Sequence, residues 1–185
     1  MRLDHIAYRT FNRDKTVAFF MEAFGYKKQA EFEIFFNDEK TDKALCIALE
    51  PPEKINPKMP FTIHHIGFDG ETDYHMAPEI FVSEGTPGSI VWNWVQARGG
   101  IGGIHHIAYE VPDVEAKRKE WIEKGWGDFT SKTAFKCDDL TQIFTVPHSL
   151  TGMVYEFIER KGHGFCAANV LELMRSTAKI DKNIP

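Results

Sequence analysis

Leu3-Asp4-His5-Ile6-Ala7-Tyr8 and Ile104-His105-His106-Ile107-Ala108-Tyr109 are nearly one hexamer written twice, about a hundred residues apart. The stretches C-terminal to the two copies also correspond. After His5 a polar stretch leads into Val17, Phe20, Met21 and Phe24, spaced i, i+3, i+4, i+7 as on one face of a helix, and Gly25 stops it. After His106, Pro112-Asp113 supplies a helix start with Asp113 as N-cap. Val114, Trp121 and Ile122 give a partial apolar face, and Gly125 is the stop. His5 to Gly25 is 20 residues and His106 to Gly125 is 19, so two successive elements recur with the same spacing, which is the mark of an internal duplication.

Beyond the helices, each copy continues in strand-like runs. In the first half these are Gln29–Phe36, Ala44–Leu49, Phe61–Phe68 and Glu79–Val82; in the second they are Lys132–Cys137, Gln142–Val146 and Met153–Ile158. The expected fold class is α+β: two βαβββ modules related by duplication, forming a cupped mixed sheet around a metal site, plus a C-terminal helix. The expected organisation is a first module over 1–98 with an insertion at about 51–77, a second module over 99–160, and a C-terminal helix and tail over 161–185. A short helix is expected near Ser89–Ala97, before the linker Gly99-Gly100-Ile101-Gly102-Gly103, and the last helix starts near Asn169.

Composition narrows the function. The 185 residues are 43% hydrophobic and 26% charged, as in ordinary globular domains, with net charge −5. No apolar run is long enough for a membrane helix, the first residues carry no apolar leader core, and no basic cluster is suited to phosphate backbones. A cytoplasmic protein without nucleic-acid or membrane partners is expected. Cys46, Cys137 and Cys166 lie far apart and read as reduced thiols.

Alternate residues of a strand share a face, so Leu3, His5 and Ala7 lie together, as do Ile104, His106 and Ala108. If the halves pack about a pseudo-twofold axis, His5 and His106 point into one cavity. Glu156 is a lone carboxylate in the apolar run Met153-Val154-Tyr155-Glu156-Phe157-Ile158, and a buried Glu is rare unless paired or bound to a metal. Two histidines and one carboxylate make a facial triad with open positions for substrate and oxygen, a set that suits non-haem Fe(II). His64 or His65 could join the set if Phe61–Phe68, rather than Glu79–Val82, closes the first module. A strand histidine taken singly is more often a hydrogen-bonded core or edge residue than a ligand, and it is the duplicated placement of His5 and His106, with Glu156 at the end of the second module, that reverses this in favour of ligation. A neutral amide at Gln142 can orient a keto-acid or phenol oxygen without competing for the metal.

The hexamers and the duplicated βαβββ pattern resemble the vicinal oxygen chelate superfamily, which includes glyoxalase I, methylmalonyl-CoA epimerase and extradiol dioxygenases. The second half is most similar to the catalytic domain of 4-hydroxyphenylpyruvate dioxygenase. That likeness is carried by the segment Gly99 to Ala108, by Leu140-Thr141-Gln142-Ile143-Phe144-Thr145-Val146-Pro147, and by Tyr155 to Phe165 followed by Asn169. The resemblance implies metal ligands at His5, His106 and Glu156, with Fe2+ first and Zn2+, Co2+, Ni2+ or Mn2+ as alternatives. It implies a catalytic and substrate-binding Gln142, and a pocket bounded by Phe165, Asn169 and Phe81. The run Ala77 to Gly85 resembles the strand that carries a fourth ligand in methylmalonyl-CoA epimerase, and here that position is Phe81, which cannot bind a metal.

The leading expectation is thus an Fe(II) dioxygenase that takes a small 2-oxo acid or aromatic substrate and O2. The segment before Gln142 is shorter than in the dioxygenase family, so 4-hydroxyphenylpyruvate itself is not implied. The alternatives are a metal-dependent lyase or isomerase of glyoxalase or epimerase type, and a non-enzymatic small-molecule binding protein of the drug-resistance kind. The sequence leaves open whether the site closes within one chain or by exchange in a homodimer.

Overall fold

A computed structural model describes residues 1–52, 77–162 and 164–178. The first module runs β1 (Arg2–Arg9), α1 (Arg13–Phe24), β2 (Lys27–Phe35), β3 (Lys43–Glu50) and β4 (Glu79–Gly85). The helix α2 (Ile90–Gln96) comes next. The second module is β5 (Gly103–Glu110), α3 (Val114–Glu123), β6 (Phe135–Cys137), β7 (Leu140–Phe144) and β8 (Val154–Arg160), and α4 (Ala167–Ala178) comes last. The strands form one eight-stranded sheet in the order β2-β3-β4-β1-β5-β8-β7-β6. The order reads identically outward from the β1–β5 seam on both sides, which is the duplication made visible. The opening strands pair antiparallel across the seam, and each pairs parallel with its own module's closing strand. The result is a curled half-barrel of mixed α+β class.

The strand Glu79–Val82 lies in β4 and, by its parallel pairing with β1, closes the first module. The expected strand Phe61–Phe68, with His64 and His65, and most of the expected insertion lie outside the described residues, as do His75 and His163.

Local chemistry fixes the helix ends. Asn12 and Asp113 cap α1 and α3 by accepting from the backbone N–H of Lys15 and Ala116, and Gly25 ends α1 in the left-handed region at φ 74°. The two helices cover the convex face. There Val17 packs with Tyr26, Ile47, Leu49, Ile80 and Val82, and Val114 packs with Val111, Ile143 and Phe157. The apolar face expected on α1 is only partly used: Val17 is buried, but Met21 and Phe24 are 40% and 54% exposed. The helix meets the sheet along the Val17–Phe20 line, and the Phe19 and Phe24 rings contact each other and Phe20 in edge-on or tilted pairs. On the concave face α2 and α4 roof the sheet, with Val91, Val170 and Met174 against Ala7, Phe81 and the β3 alanines, and Leu173 against Phe144 and Val154. Asn169 holds α4 in place: its buried amide donates to the carbonyls of Phe135 and Leu140 at 3.3 and 3.4 Å.

Candidate metal centre

Register explains why three side chains converge at the seam. His5 on β1 is opposite Ala108 on β5, and Ala108 is opposite Glu156 on β8. The small Ala108 lies between the two longer side chains and leaves them room to meet above it. His106 faces the same side from the next row, opposite Ala7. His5 Nε2 lies 3.2 Å from His106 Nε2, and Glu156 Oε2 lies 3.3 Å from the first and 3.1 Å from the second. All three residues are buried and belong to one chain, and among the described residues they form the one group with three ligand atoms within reach of a single ion.

The spacing suits such an ion. Three atoms bound at right angles, each roughly 2.1 Å from the centre, sit roughly 3.0 Å apart. The charges suit it too. Without a cation, two imidazoles and a carboxylate crowd one dry point. Burial alone would push the His5 imidazole down, but the Glu156 carboxylate beside it, with Asp4, holds it up at about 9. Burial pushes His106 down to about 4 despite the same carboxylate. Glu156, which burial would raise, is held down at about 2 chiefly by the His5 charge. A proton on His5 therefore occupies the place in the charge balance that a divalent ion would take.

Each ligand is held from behind. The β1–β5 ladder carries two irregularities, one that skips Asp4 and one that skips His105. These are bulge residues, each immediately before a ligand histidine, and a bulge re-aims a side chain that simple alternation would send to the other face. Both are buried. Asp4 Oδ1 meets His5 Nδ1 at 2.7 Å, and Asp4 is in turn clamped by Arg160, whose Nε and Nη2 donate to its two oxygens at 2.7 and 2.8 Å. Burial opposes the Asp4 charge, but Arg160 and His5 hold its carboxyl well below the usual range. His105 Nδ1 meets His106 Nδ1 at 2.8 Å, and burial together with the Arg9 charge keeps the His105 imidazole well below its ordinary value. On the third ligand, Gln142 Nε2 donates to Glu156 Oε1 at 2.6 Å, which leaves Oε2 facing the histidines. Both imidazoles are thus turned so that Nε2 faces the common point.

A narrow cleft opens over these atoms. Of the residues nominated from sequence, His5, His106, Glu156, Gln142, Phe81 and Phe165 line it, whereas Asn169 serves as the anchor of α4. The Phe165 ring stands 5.1 Å from the His5 ring and 5.0 Å from Phe81, so three rings form one wall. Leu173 and Met174 of α4 and Phe144 supply apolar surface, and Arg9, Ser83 and His105 add polar groups. Sequence reasoning missed Asp4, His105, Arg160 and Arg9. For Asp4 and His105 the signal was present, a polar residue directly before each strand histidine, but alternation assigns it to the outer face. His148 sits on the convex side against Trp121 and Tyr155.

Comparison with known proteins agrees with this architecture. A family model described as the glyoxalase/bleomycin resistance protein/dioxygenase superfamily matches residues 4–144. No curated protein matches the chain by sequence. Among solved structures, a methylmalonyl-CoA epimerase superposes with TM-score 0.60 at 21% identity, over 88% of this chain and 97% of the epimerase. The Mycobacterium tuberculosis epimerase gives 0.57 at 17%, over 87% and 89%. A triple mutant of 4-hydroxymandelate synthase from Streptomyces coelicolor gives 0.69 at 18%, over 96% of this chain but 53% of the synthase. The chain therefore spans about half of that enzyme. At these identities the likeness is one of fold. No helix among the described residues is long and apolar enough to cross a membrane.

Proposed function

This chain belongs to the glyoxalase/bleomycin resistance protein/dioxygenase superfamily, and we propose that it is a metal-dependent enzyme acting on a small 2-oxo acid, with non-haem Fe(II) as the ion and O2 as co-substrate. The observation that carries the reading is the trio of mutually adjacent, buried atoms His5 Nε2, His106 Nε2 and Glu156 Oε2. Three protein ligands on one face leave room for a bidentate small molecule beside a third partner. A divalent ion held there supplies Lewis acidity and, as Fe(II), the electrons for oxygen chemistry.

The protein's own contribution is geometry and dryness. The β-sheet fixes all three ligands on rigid strands, and Asp4, His105 and Gln142 fix their rotation. Phe81, Phe144, Phe165, Leu173 and Met174 exclude water and offer an apolar slot for a side chain or ring. Gln142 Oε1 is buried without a hydrogen-bond partner among the described residues, so it stands ready to accept from a substrate hydroxyl or a bound water. The Arg9 guanidinium adds positive charge to the same cavity and favours an acidic substrate.

Oxygen consumption tests the reading. Protein loaded anaerobically with Fe(II) is mixed with pyruvate, phenylpyruvate, 4-hydroxyphenylpyruvate or 2-oxoglutarate, and O2 uptake is followed. Uptake dependent on both iron and one of these acids supports it, and no uptake from any of them by iron-loaded protein overturns it. A second reading, an epimerase- or glyoxalase-type isomerase or lyase, draws on the near-complete overlap in length with methylmalonyl-CoA epimerase. It predicts turnover of a carbonyl substrate under argon with Co2+ in place of iron.

A further inference from the structure

We propose that His105 is a substrate-binding residue, whose Nε2–H donates to an oxygen of the 2-oxo acid, and that the metal ligand beside it dictates which nitrogen carries that proton. The inference rests on the proposed function and goes beyond it by assigning a recognition contact.

The argument is one of proton counting. His106 presents Nε2 to Glu156 Oε2 and to His5 Nε2, so ligation uses that nitrogen as a lone pair. The proton of the neutral ring must then sit on Nδ1. Nδ1 lies 2.8 Å from His105 Nδ1, and a hydrogen bond between two ring nitrogens needs one donor and one acceptor. With His106 as donor, His105 Nδ1 is the acceptor and its proton is confined to Nε2. That Nε2 is buried, His105 being only 5% exposed, and it has no hydrogen-bond partner among the described residues. A buried, unpaired N–H is costly unless something fills the space beside it.

The surroundings say what fills it. His105 lines the same cavity as the three ligands. The Trp94 and Phe144 rings stand 5.6 and 6.0 Å from the His105 ring and offer it no acceptor. Arg9 lines the cavity on the same side of the sheet, since residues 5, 7 and 9 share a face. A donor beside a cation in an apolar slot recognises an anionic or carbonyl oxygen. The bulge at His105 is what makes this possible: regular pairing would have turned the ring to the convex face.

The two nitrogens can be tested apart. In His105→Asn the amide oxygen falls where Nδ1 was, so the support of His106 survives while the distal N–H is lost. In His105→Gln the amide falls where Nε2 was, so a distal donor survives while the support of His106 is lost. Co2+ affinity of each variant and of wild type is measured by its visible absorption, and phenylpyruvate affinity of the Co2+-loaded proteins by calorimetry. The expected result for His105→Asn is Co2+ affinity within about threefold of wild type and phenylpyruvate binding weaker by about tenfold or more. For His105→Gln the expected result is the reverse, with Co2+ affinity down about tenfold or more and phenylpyruvate binding to the loaded protein largely kept. His105→Asn that binds Co2+ and phenylpyruvate as wild type does overturns the inference and leaves the metal site standing. Wild-type protein that takes up no Co2+ overturns the functional reading, and the inference with it.

Discussion

Metal binding at this centre must displace one proton, and the structure says which. Glu156, held near 2, and His106, pushed down to about 4, are already in their ligating forms at neutral pH. His5 alone is protonated, because the Glu156 carboxylate at 3.3 Å and Asp4 hold it at about 9. Affinity for a divalent ion should therefore rise about tenfold per pH unit from pH 6 to pH 8 and level off only above about 9. Over those two units the gain is about 100-fold, or about 2.7 kcal/mol. The sign for the metal-free fold is opposite. The His5 pKa lies above its ordinary 6.5, so its contribution to stability is full below 6.5 and is lost as pH rises through about 9. Calorimetric titration with Zn2+ or Co2+ in buffers of different ionisation enthalpy counts the released protons directly. A count near one with unit slope supports the arrangement; zero or two protons, or a slope that ends at pH 6.5, refutes it.

Three substitutions extend the test to the surrounding structure. Asp4→Asn removes the charge that orients His5 and should weaken Co2+ binding by about 10- to 100-fold, and it should also lower the melting temperature, because the Arg160 guanidinium loses the carboxylate that accepts two of its hydrogen bonds. Gly102→Ala should destabilise the fold by about 1–3 kcal/mol in urea titration, because φ is +80° there and a Cβ would meet the Arg9 carbonyl oxygen at 2.4 Å. Phe157→Ala, which empties a fully buried position between Trp121 and Phe129 on the convex side, should cost about 3–5 kcal/mol and leave metal affinity of the folded fraction unchanged.

Much of the architecture was legible because it is written twice. The paired hexamers, the helix caps and the glycine stops are local signals, and duplication let each half support the other. The three converging side chains were legible for a related reason: a histidine at the same place in both opening strands and a lone carboxylate in a closing strand are rare in apolar surroundings. What escaped reading depends on departures from regularity. Strand alternation sends Asp4 and His105 outward, and only the two bulges at the seam bring them in. Arg160 reaches Asp4 from 156 residues away, a pairing no local pattern encodes. Asn169, nominated for the pocket, instead bonds two strand carbonyls under α4, since a helix start lying over a sheet edge must satisfy that edge's backbone. Met21 and Phe24 keep helical spacing yet stay exposed, because periodicity marks a face and not the width of its contact.

Metal content of the purified protein, read by mass spectrometry after loading with Fe(II) under argon and removal of unbound ion, is the sharpest check on the convergence of His5, His106 and Glu156. The three-ligand centre predicts close to one ion per chain in wild type and near-complete loss in both His106→Ala and Glu156→Ala while circular dichroism stays unchanged. Equal metal content in wild type and in these two folded variants would contradict it.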